Sequence, residues 1–530
     1  MVFSAFILFT SIWFMLAGDR PRETMALLET AILGTVIGAG LYLAFSRFAT
    51  EDAIGTREGM AVTAIAWVLL AGLGGLPFHL AYPLELSFTD GYFECMSGLT
   101  TTGASILPDI EKLGQPLLFW RSLTHWLGGM GIILLVVAIL PLLGTGGYQL
   151  FRAEVPGPTK DRLKPRIVET AKTLWKIYVG LTLAQIVLLK VCGLSFFDAL
   201  CHSFASMATG GYSNYNASVA WFSGPQSGMS PLGAFMAEMI IVVFMFLAGT
   251  NFVLLFNAWT ERSLRVLWRS SEFRVYLGFV IGATAIIALL LVCASPIDKA
   301  VVIGGDKAKQ YTPLSAVRSA LFQVVSIMTT TGFATDDFDL WPTATRILLL
   351  ILMLVGGCAG STSGGMKVAR IVILLTFAWR ELIKTINPRQ VVVTKFEGRP
   401  VEREVVGSLL GFSIFYLGAL IIGTFSLALV CDGQAALRSG PPPAATSAAT
   451  LVTTARDTGE DPLNGSLVTA FSACLGTLGN VGPGLAGVGP IRNYYTVPTA
   501  GKWILCLLML MGRLEIFPVL ALFSLRTWRK

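Results

Sequence analysis

The chain has 530 residues, of which 54% are hydrophobic and 13% are charged, and its formal net charge is +7. A mean hydropathy of +0.69 is far above that of a soluble domain of this length, so a polytopic membrane protein is predicted instead. The basic residues are spread over several loops, which argues against a nucleic-acid partner. The eight cysteines include no CxxC pair and are interpreted as small buried hydrophobes.

Ten apolar runs, taken in chain order, predict membrane-spanning helices, because a span needs about 20 apolar residues. They cover residues 3–16, 24–45, 60–80, 116–140, 174–191, 236–256, 276–292, 347–377, 405–430 and 503–525. The first run is short, but it lacks the basic start and the cleavage site of a signal peptide. The positive-inside rule predicts that three basic loops and the C-terminal RTWRK face the cytoplasm. These loops are residues 151–166, 261–274 and 379–404.

Four polar, glycine-bearing loops interrupt this pattern and contain MSGLTTTGAS, ASMATGGYS, SIMTTTGFA and ACLGTLGNVG. Each loop follows an apolar segment of about 14 to 15 residues, which suits a re-entrant half-helix and is too short for a span. Each interval between cytoplasmic loops is therefore predicted to hold an outer helix, a half-helix, a polar loop and an inner helix. Irregular backbone is tolerated at membrane depth only where protein buries it or where it lines a cavity. The sequence thus predicts an all-α fold with four fused repeats in a pseudo-fourfold arrangement around one pore.

The repeats divide the chain into five predicted parts. Residues 1–58 form two accessory N-terminal helices, and residues 59–147 form the first pore repeat. Residues 148–259 hold the basic linker and the second repeat, and residues 260–378 hold the third repeat with a broken inner helix. Residues 379–530 hold the fourth repeat and the C-terminal tail.

The polar loops are suited to binding a cation. Rings of backbone carbonyls replace the hydration shell of potassium in known filters, and glycine tolerates the positive φ that such loops need. The C-terminal end of a half-helix also carries partial negative charge. One glycine in each loop is the candidate filter residue: Gly103, Gly210, Gly332 and Gly482. The alternative for any single loop is a helix C-cap followed by a turn, which recurrence in four loops disfavours.

Two inner helices carry residues that disfavour a simple span. Residues 356–367 hold five glycines, two serines and a threonine and end at Lys367, so a helix break is predicted there. We interpret this segment as a movable gate, with close packing of small residues as the alternative. Arg513 lies in the apolar fourth inner helix, and in the pore its charge would be a barrier to cations. The alternative for Arg513 is a structural ion pair with Glu515 or another acid.

Other motifs are assigned no chemistry. GPGLAG has the spacing of a dinucleotide fingerprint, but it follows no strand and contains Pro483. The three histidines lack metal-ligand spacing. Arg121 and His125 are interpreted as structural support for a pore helix.

At the four loops, the basic linker and the glycine run, the sequence resembles the TrkH type of bacterial potassium uptake protein. The superfamily also holds the Ktr and plant HKT transporters. The resemblance covers nearly the whole chain and is carried by SFTDGYFECMSGLTTTGAS, RAEVPGPTKDRLKPRI, TTTGFATDDF, GGCAGSTSGGMKVAR and GNVGPG. The chain departs from the family in its short first helix and in a Pro/Ala/Thr-rich external insert at residues 435–455.

The resemblance implies a site. The family has one filter glycine in each repeat, and the carbonyls just before these glycines are the expected ion ligands: Thr101, Thr102, Ala208, Thr209, Thr330, Thr331, Asn480 and Val481. The family's gating loop matches the segment that contains Gly356, Gly357, Gly360, Ser361, Gly364, Gly365 and Lys367. Its pore-facing arginine matches Arg513. Members with serine at the first filter position admit sodium, so four glycines imply potassium.

The resemblance also implies partners and a location. The family works in the lipid of the bacterial inner membrane as a homodimer, on a cytosolic ring of TrkA-type subunits that bind NAD(H) or ATP. The expected function is therefore potassium uptake through a gated pore, with K⁺ as the transported ion, no covalent cofactor and no enzymatic activity. A sodium-permeable or proton-coupled relative is the first alternative. A membrane-embedded enzyme would need clustered carboxylates, and four filter-like loops weigh against a non-conducting scaffold.

Overall fold

The computed structural model describes residues 1–46, 56–82, 84–139, 163–294, 311–390, 393–438 and 462–523. The predicted basic loop at residues 151–166 and the predicted insert at residues 435–455 lie mostly outside the described residues. The described part of the chain is helical except for loops and one short antiparallel hairpin, formed by β1 Lys395–Phe396 and β2 Arg399–Pro400.

The helices form an N-terminal pair and four repeats. The pair is α1 Val2–Ala17 and α2 Pro21–Phe45. The first repeat contains α3 Thr56–Ala81, α4 Phe88–Leu99 and α5 Gln115–Ile139. The second contains α6 Leu163–Val191, α7 Phe196–Met207, α8 Pro231–Ala248 and α9 Phe252–Thr260. After the short α10 Arg265–Arg269, the third contains α11 Ser271–Ala294, α12 Pro313–Met328, α13 Thr343–Val355 and α14 Val368–Ile386. The fourth contains α15 Arg403–Arg438, α16 Pro462–Leu478, α17 Thr499–Arg513 and α18 Phe517–Phe523.

The short second helix of each repeat, which is α4, α7, α12 or α16, is called the pore helix below. The pore helices have 12 to 17 residues, so at about 1.5 Å per residue they are too short to cross the hydrocarbon core. Capping fixes where three of them begin, because the hydroxyls of Ser87, Ser195 and Thr312 each accept a backbone N–H from three residues later. Each of these three pore helices thus begins at a polar cap, and the loop residues that follow its C-terminus are buried.

The four repeats close into a ring. The pore helix α4 packs against α17 of the fourth repeat, α7 against α5, α12 against α8, and α16 against α13. Each pore helix therefore contacts the inner helix of the preceding repeat, in cyclic order. This arrangement confirms the predicted all-α fold with four repeats around one pseudo-fourfold axis.

The N-terminal pair lies outside this ring, where α1 and α2 pack against each other, α2 packs against α3, and α1 packs against α5. A polar contact joins the pair to the first repeat. The Tyr82 hydroxyl donates to Glu23 Oε1 at 2.5 Å, and the Gly114 N–H donates to the same oxygen at 2.8 Å. Burial and the Glu23 carboxylate raise the pKa of Tyr82 to about 12, so the phenol remains a donor at neutral pH.

Within the described residues, six helices are long and apolar enough to cross a membrane: α2, α3, α6, α8, α11 and α15. Two runs that were predicted to be continuous spans are divided. The run at 236–256 is interrupted between α8 and α9, because the Asn251 side chain accepts the N–H groups of Val253 and Leu254 and starts a new helix. The run at 503–525 is interrupted after α17, where Glu515 and Ile516 have φ values of 59° and 63°.

Candidate functional site

The four polar loops share one backbone conformation. The second residue after each pore helix has a left-handed φ between 50° and 57°, at Thr101, Thr209, Thr330 and Asn480. Two residues later comes a glycine with φ between 78° and 96°, at Gly103, Gly211, Gly332 and Gly482. A positive φ is costly for a β-branched residue such as threonine. Its recurrence shows that the same local fold is imposed on all four loops.

Hydrogen bonds to the pore helices define the register of the loops. The residue before the glycine donates its N–H to a helix carbonyl five residues earlier, at 2.8 to 2.9 Å, in Thr102, Gly210, Thr331 and Val481. Gly210 is thus equivalent to Thr102, and Gly211 is equivalent to Gly103. This corrects the predicted assignment of Gly210 as the second filter glycine. In this register Thr209 and Gly210 are equivalent to Thr101 and Thr102. Ala208, a predicted ion ligand, therefore lies one residue before the equivalent positions, and its carbonyl accepts the Thr209 hydroxyl at 2.7 Å.

A sequence signal for this register exists at the start of the pore helices. Both α4 and α7 begin at a serine followed by phenylalanine, with an aspartate three residues after the serine. Gly103 lies 16 positions after Ser87, and Gly211 lies 16 positions after Ser195. Counting from the cap therefore selects Gly211, whereas the residue type alone does not distinguish two adjacent glycines.

The glycines and carbonyls of neighbouring loops form a closed ring. A Cβ atom at Gly103 would lie 2.0 Å from the Gly210 carbonyl oxygen, and one at Gly211 would lie 2.0 Å from that of Thr331. The other two glycines continue the order, with 2.1 Å from Gly332 to Val481 and 2.5 Å from Gly482 to Thr102. Each repeat thus presents its glycine to the carbonyl of the next repeat. Only glycine fits at these four positions without moving the ring.

The ring offers acceptors rather than donors. Within the described residues, no N–H or O–H group donates to the carbonyls of Thr102, Gly210, Thr331 and Val481. The side chains are engaged elsewhere, because the Thr100 and Thr102 hydroxyls bond each other at 2.8 Å and Asn480 Nδ2 donates to Thr102 Oγ1 at 3.0 Å. Buried carbonyls without a donor are suited to coordinating a cation. We call these four carbonyls and four glycines the filter ring.

A buried ion pair braces the ring from the outer side. Arg121 Nε lies 2.8 Å from Glu94 Oε1, and both side chains are 1% exposed. Arg121 also donates to the Ser213 carbonyl at 3.1 Å, which joins α5 of the first repeat to the second loop. His125 stacks on Tyr212 with ring centroids 4.0 Å apart. These contacts agree with structural support as the role of Arg121 and His125.

A cavity of about 120 Å³ lies at one face of the ring and is lined by all four ring glycines together with Ser105, Tyr212 and Asn493. This is the side toward which the loops return after the pore helices. The positive-inside rule predicts that this face is external.

Residues 356–367, which we call the gate segment, lie against the other face of the filter loops. Between α13 and α14 this segment is not helical, as the run of glycines predicts. The Gly364 N–H donates to Thr330 Oγ1 at 2.6 Å, and the Gly365 N–H donates to the Gly479 carbonyl at 3.0 Å. A Cβ atom at Gly364 would lie 2.1 Å from the Gly479 oxygen. Close approach to the filter therefore requires glycine here.

Arg513 joins the gate segment to the first and fourth repeats by hydrogen bonds. Its side chain is 2% exposed and donates to the Thr362 carbonyl at 2.7 Å and to the Gly128 carbonyl at 3.1 Å. Thr362 in turn donates its hydroxyl to the Ala248 carbonyl at 3.1 Å. The gate segment is thus tied to the first, second and fourth repeats.

Among the described residues, the ion pair predicted as the alternative for Arg513 is not present. Glu515 pairs with Arg370 of α14, and Lys367 donates its ammonium to the Ser363 carbonyl. Arg513 therefore contributes a buried positive charge whose described hydrogen bonds go to backbone carbonyls. Among the described residues no group of three or more His, Cys, Asp or Glu side chains is placed to hold a metal ion.

Comparison with known proteins agrees with this architecture. The chain matches the model of the family TrkH, cation transport protein, over residues 23–436. It is 38% identical over 512 residues to the Trk system potassium uptake proteins TrkH of Salmonella typhimurium and Escherichia coli K12, covering 96% of this chain and 94% of each relative. It is 29% identical over 511 residues to TrkG of Escherichia coli K12, covering 96% of this chain and 93% of the relative.

The solved crystal structure of the potassium transporter TrkH from Vibrio parahaemolyticus is also similar. It matches with a TM-score of 0.80 and 33% sequence identity, over 100% of this chain and 97% of that one. The chain therefore belongs to the TrkH family of cation transport proteins, and it is a multi-pass protein of the bacterial inner membrane rather than an enzyme.

Proposed function

We propose that this protein takes up potassium ions across the bacterial inner membrane through the filter ring. The main support for this proposal is that four buried carbonyls, one from each repeat, form a closed ring. Within the described residues, no N–H or O–H group donates to them. Such a ring replaces the hydration shell of a dehydrated monovalent cation. The relatives named potassium uptake proteins support K⁺ as that cation.

With the corrected register, we propose two layers of carbonyls as the ion ligands. One layer comes from the residues before the glycines, which are Thr102, Gly210, Thr331 and Val481. The other comes from the residues with left-handed φ, which are Thr101, Thr209, Thr330 and Asn480. The negative ends of the pore helices face the same region and favour a positive ion. The membrane potential draws K⁺ inward with about 2.3 kcal/mol per 100 mV.

The gate segment and Arg513 control passage in this proposal. The segment packs directly beneath the filter loops, so an ion that leaves the ring toward the cytoplasm meets it. Arg513 adds a fixed positive charge at the same level and repels a cation through a medium of low dielectric constant. Opening requires that the segment leave Thr330 and that Arg513 release the Thr362 carbonyl.

Regulation and assembly follow the family resemblance. The protein works as a homodimer, and a cytosolic TrkA-type subunit that binds NAD(H) or ATP acts on its cytoplasmic loops. These loops are basic, and the loop at residues 379–404 includes the end of α14, which follows the gate segment, and leads to α15 of the fourth repeat. A partner that moves this connection is placed to act on the gate segment.

Uptake of radioactive Rb⁺ into K⁺-loaded liposomes that contain the purified protein tests the filter. We expect that K⁺ blocks uptake and Na⁺ does not, and that Gly103→Ser loses this preference, because its side chain would displace the Gly210 carbonyl. Gly18→Ser is the control, since Gly18 also has a positive φ and no neighbouring atom within 4 Å. Equal block by Na⁺ would indicate a sodium-permeable pore. No uptake, with or without a TrkA-type subunit, would contradict the proposal.

A further inference from the structure

A buried carboxylate outside the filter bonds both the gate segment and the start of the helix that follows it. Glu272 lies in the first turn of α11 and is 5% exposed. Its Oε1 accepts the N–H of Ala359, within the gate segment, at 2.7 Å. The same oxygen accepts the N–H of Ala369, in the first turn of α14, at 3.2 Å. One carboxylate oxygen therefore joins the gate segment to the helix that follows it.

This contact completes the start of α14. The N-cap residue Lys367 makes no side-chain cap hydrogen bond. The first N–H groups of a helix have no partner within the helix, and their end of the helix favours a negative charge. Glu272 supplies the missing acceptor from a different helix. The position of the gate segment thus depends on where α11 begins.

A second carboxylate connects α11 to the cytoplasmic hairpin. Strands β1 and β2 are joined by Glu397 and Gly398, whose φ values of 49° and 75° are those of a type I′ turn. Glu397 Oε1 accepts the Ser270 hydroxyl at 2.9 Å and the Glu272 N–H at 3.1 Å. Glu397 therefore caps α11 in the way that Glu272 caps α14. Two carboxylates in series link the hairpin to the gate segment.

We propose that Glu272 is a positioning residue that clasps the gate segment in its closed position, and that the hairpin sets this clasp from the cytoplasm through Glu397. The inference rests on the gate function proposed above and adds its regulation. Moving the hairpin displaces the start of α11, withdraws Glu272 Oε1 and releases the N–H groups of Ala359 and Ala369. A cytoplasmic partner that binds the hairpin controls the gate by this route.

The chain contains its own reporter for the test. Cys358 precedes Ala359 in the gate segment and is 1% exposed. Its alkylation by a small maleimide, measured by peptide mass spectrometry on the full chain in liposomes, reports opening of the gate segment. Cys201 and Cys474 lie buried in two pore helices and report general loosening. We expect Glu272→Ala to raise the Cys358 rate about tenfold or more, with Rb⁺ flux rising in parallel and the reference cysteines unchanged.

Two control variants separate positioning from simple destabilisation. Glu272→Gln keeps an oxygen acceptor for both N–H groups. In this variant the maleimide is expected to alkylate Cys358 at nearly the wild-type rate. Glu238→Ala removes another buried carboxylate, which pairs with Arg318 away from the gate segment, and is expected to leave Cys358 protected. If Glu272→Ala does not fold, Glu397→Ala is tested instead, and a smaller rise in the alkylation rate of Cys358 is expected.

The outcomes also separate this inference from the proposed function. The proposed role of Glu272 in holding the gate segment closed would be overturned by either of two results in the folded Glu272→Ala variant. One is an unchanged alkylation rate at Cys358, and the other is an equal rise in rate at Cys358, Cys201 and Cys474. A wild-type protein that labels as expected but carries no Rb⁺ would overturn the transport proposal alone.

Discussion

The four repeats are alike at the filter ring, but they differ from one another in the inner helices beneath it. At the filter, all four loops have the same φ pattern and the same hydrogen bond to the pore helix. Beneath it, α5 is continuous from Gln115 to Ile139, three residues interrupt the second inner helix, twelve interrupt the third and three interrupt the fourth. Coordination of an ion needs equivalent groups on every side, whereas a gate needs only one segment that moves. In the proposed function, the repeats are therefore symmetric where the ion binds and asymmetric where its passage is controlled.

One pair of residues shows this difference directly. Thr101 and Thr330 occupy the same filter position in the first and third repeats and have φ values of 50° and 57°. The Thr330 hydroxyl accepts the Gly364 N–H of the gate segment, whereas the Thr101 hydroxyl has no partner among the described residues. The backbones of both threonines belong to the common ring, but of these two side chains it is Thr330 that has a described hydrogen bond to the gate segment.

The largest effect is expected when the symmetric part is broken at Gly211. The Cβ atom of Gly211→Ala would lie 2.0 Å from the Thr331 carbonyl oxygen, at a φ of 78° that disfavours alanine. Displacing a ring oxygen and straining the loop raises the barrier to permeation by about 3 kcal/mol, so Rb⁺ uptake should fall about 100-fold. Uptake into liposomes at equal protein content measures this change.

Gly228→Ala is the matched control for this substitution. Gly228 lies in the same repeat and has a φ of 63°, but no atom lies within 4 Å of the position of its Cβ. The control carries the backbone strain without touching the ring, so its uptake should stay near that of the wild type. A comparable loss in both variants would show that strain in the repeat, and not the ring, limits uptake.

A smaller effect, of opposite sign, is expected when the asymmetric part is broken at Arg513. Arg513→Ala removes the hydrogen bonds to the Thr362 and Gly128 carbonyls together with the buried charge. Hydrogen bonds from charged groups contribute about 1.5 to 3 kcal/mol, so loss of one bond to the gate segment should raise Rb⁺ flux at least about tenfold. Arg513→Lys keeps the charge and should give an intermediate flux. A change in K⁺ over Na⁺ preference would contradict the separation of filter and gate.

The symmetric part of the molecule could largely be predicted from the sequence. Half-helices of recurring length, each ending in a glycine-bearing loop, are a regular pattern that predicts four repeats around one pore. The helix break after Val355 was predictable because glycines and serines accumulate within a few residues. The register of the second loop was not predictable from residue type, because Gly210 and Gly211 are adjacent and chemically identical.

The contacts of the gate were beyond such prediction. Glu515 is the acid nearest to Arg513 in sequence, but the break after α17 lets Glu515 pair with Arg370. Arg513 instead bonds carbonyls in two other repeats, and every residue type has a carbonyl, so such partners leave no sequence signature. Glu272 was missed for a related reason, because its partners are the N–H groups of two alanines.

The smallest effect is expected at the contact where the two regions meet. Thr330→Val keeps the shape of the side chain but leaves the Gly364 N–H without its acceptor, which costs about 1 kcal/mol and should raise Rb⁺ flux about fivefold. The flux rises because the lost bond holds the gate segment against the filter. Thr101→Val makes the same change at the equivalent position of the first repeat, where the hydroxyl has no described partner, and should leave flux unchanged. Equal changes in both variants would mean that the substitution acts on the common ring, and the gate segment would then not depend on Thr330.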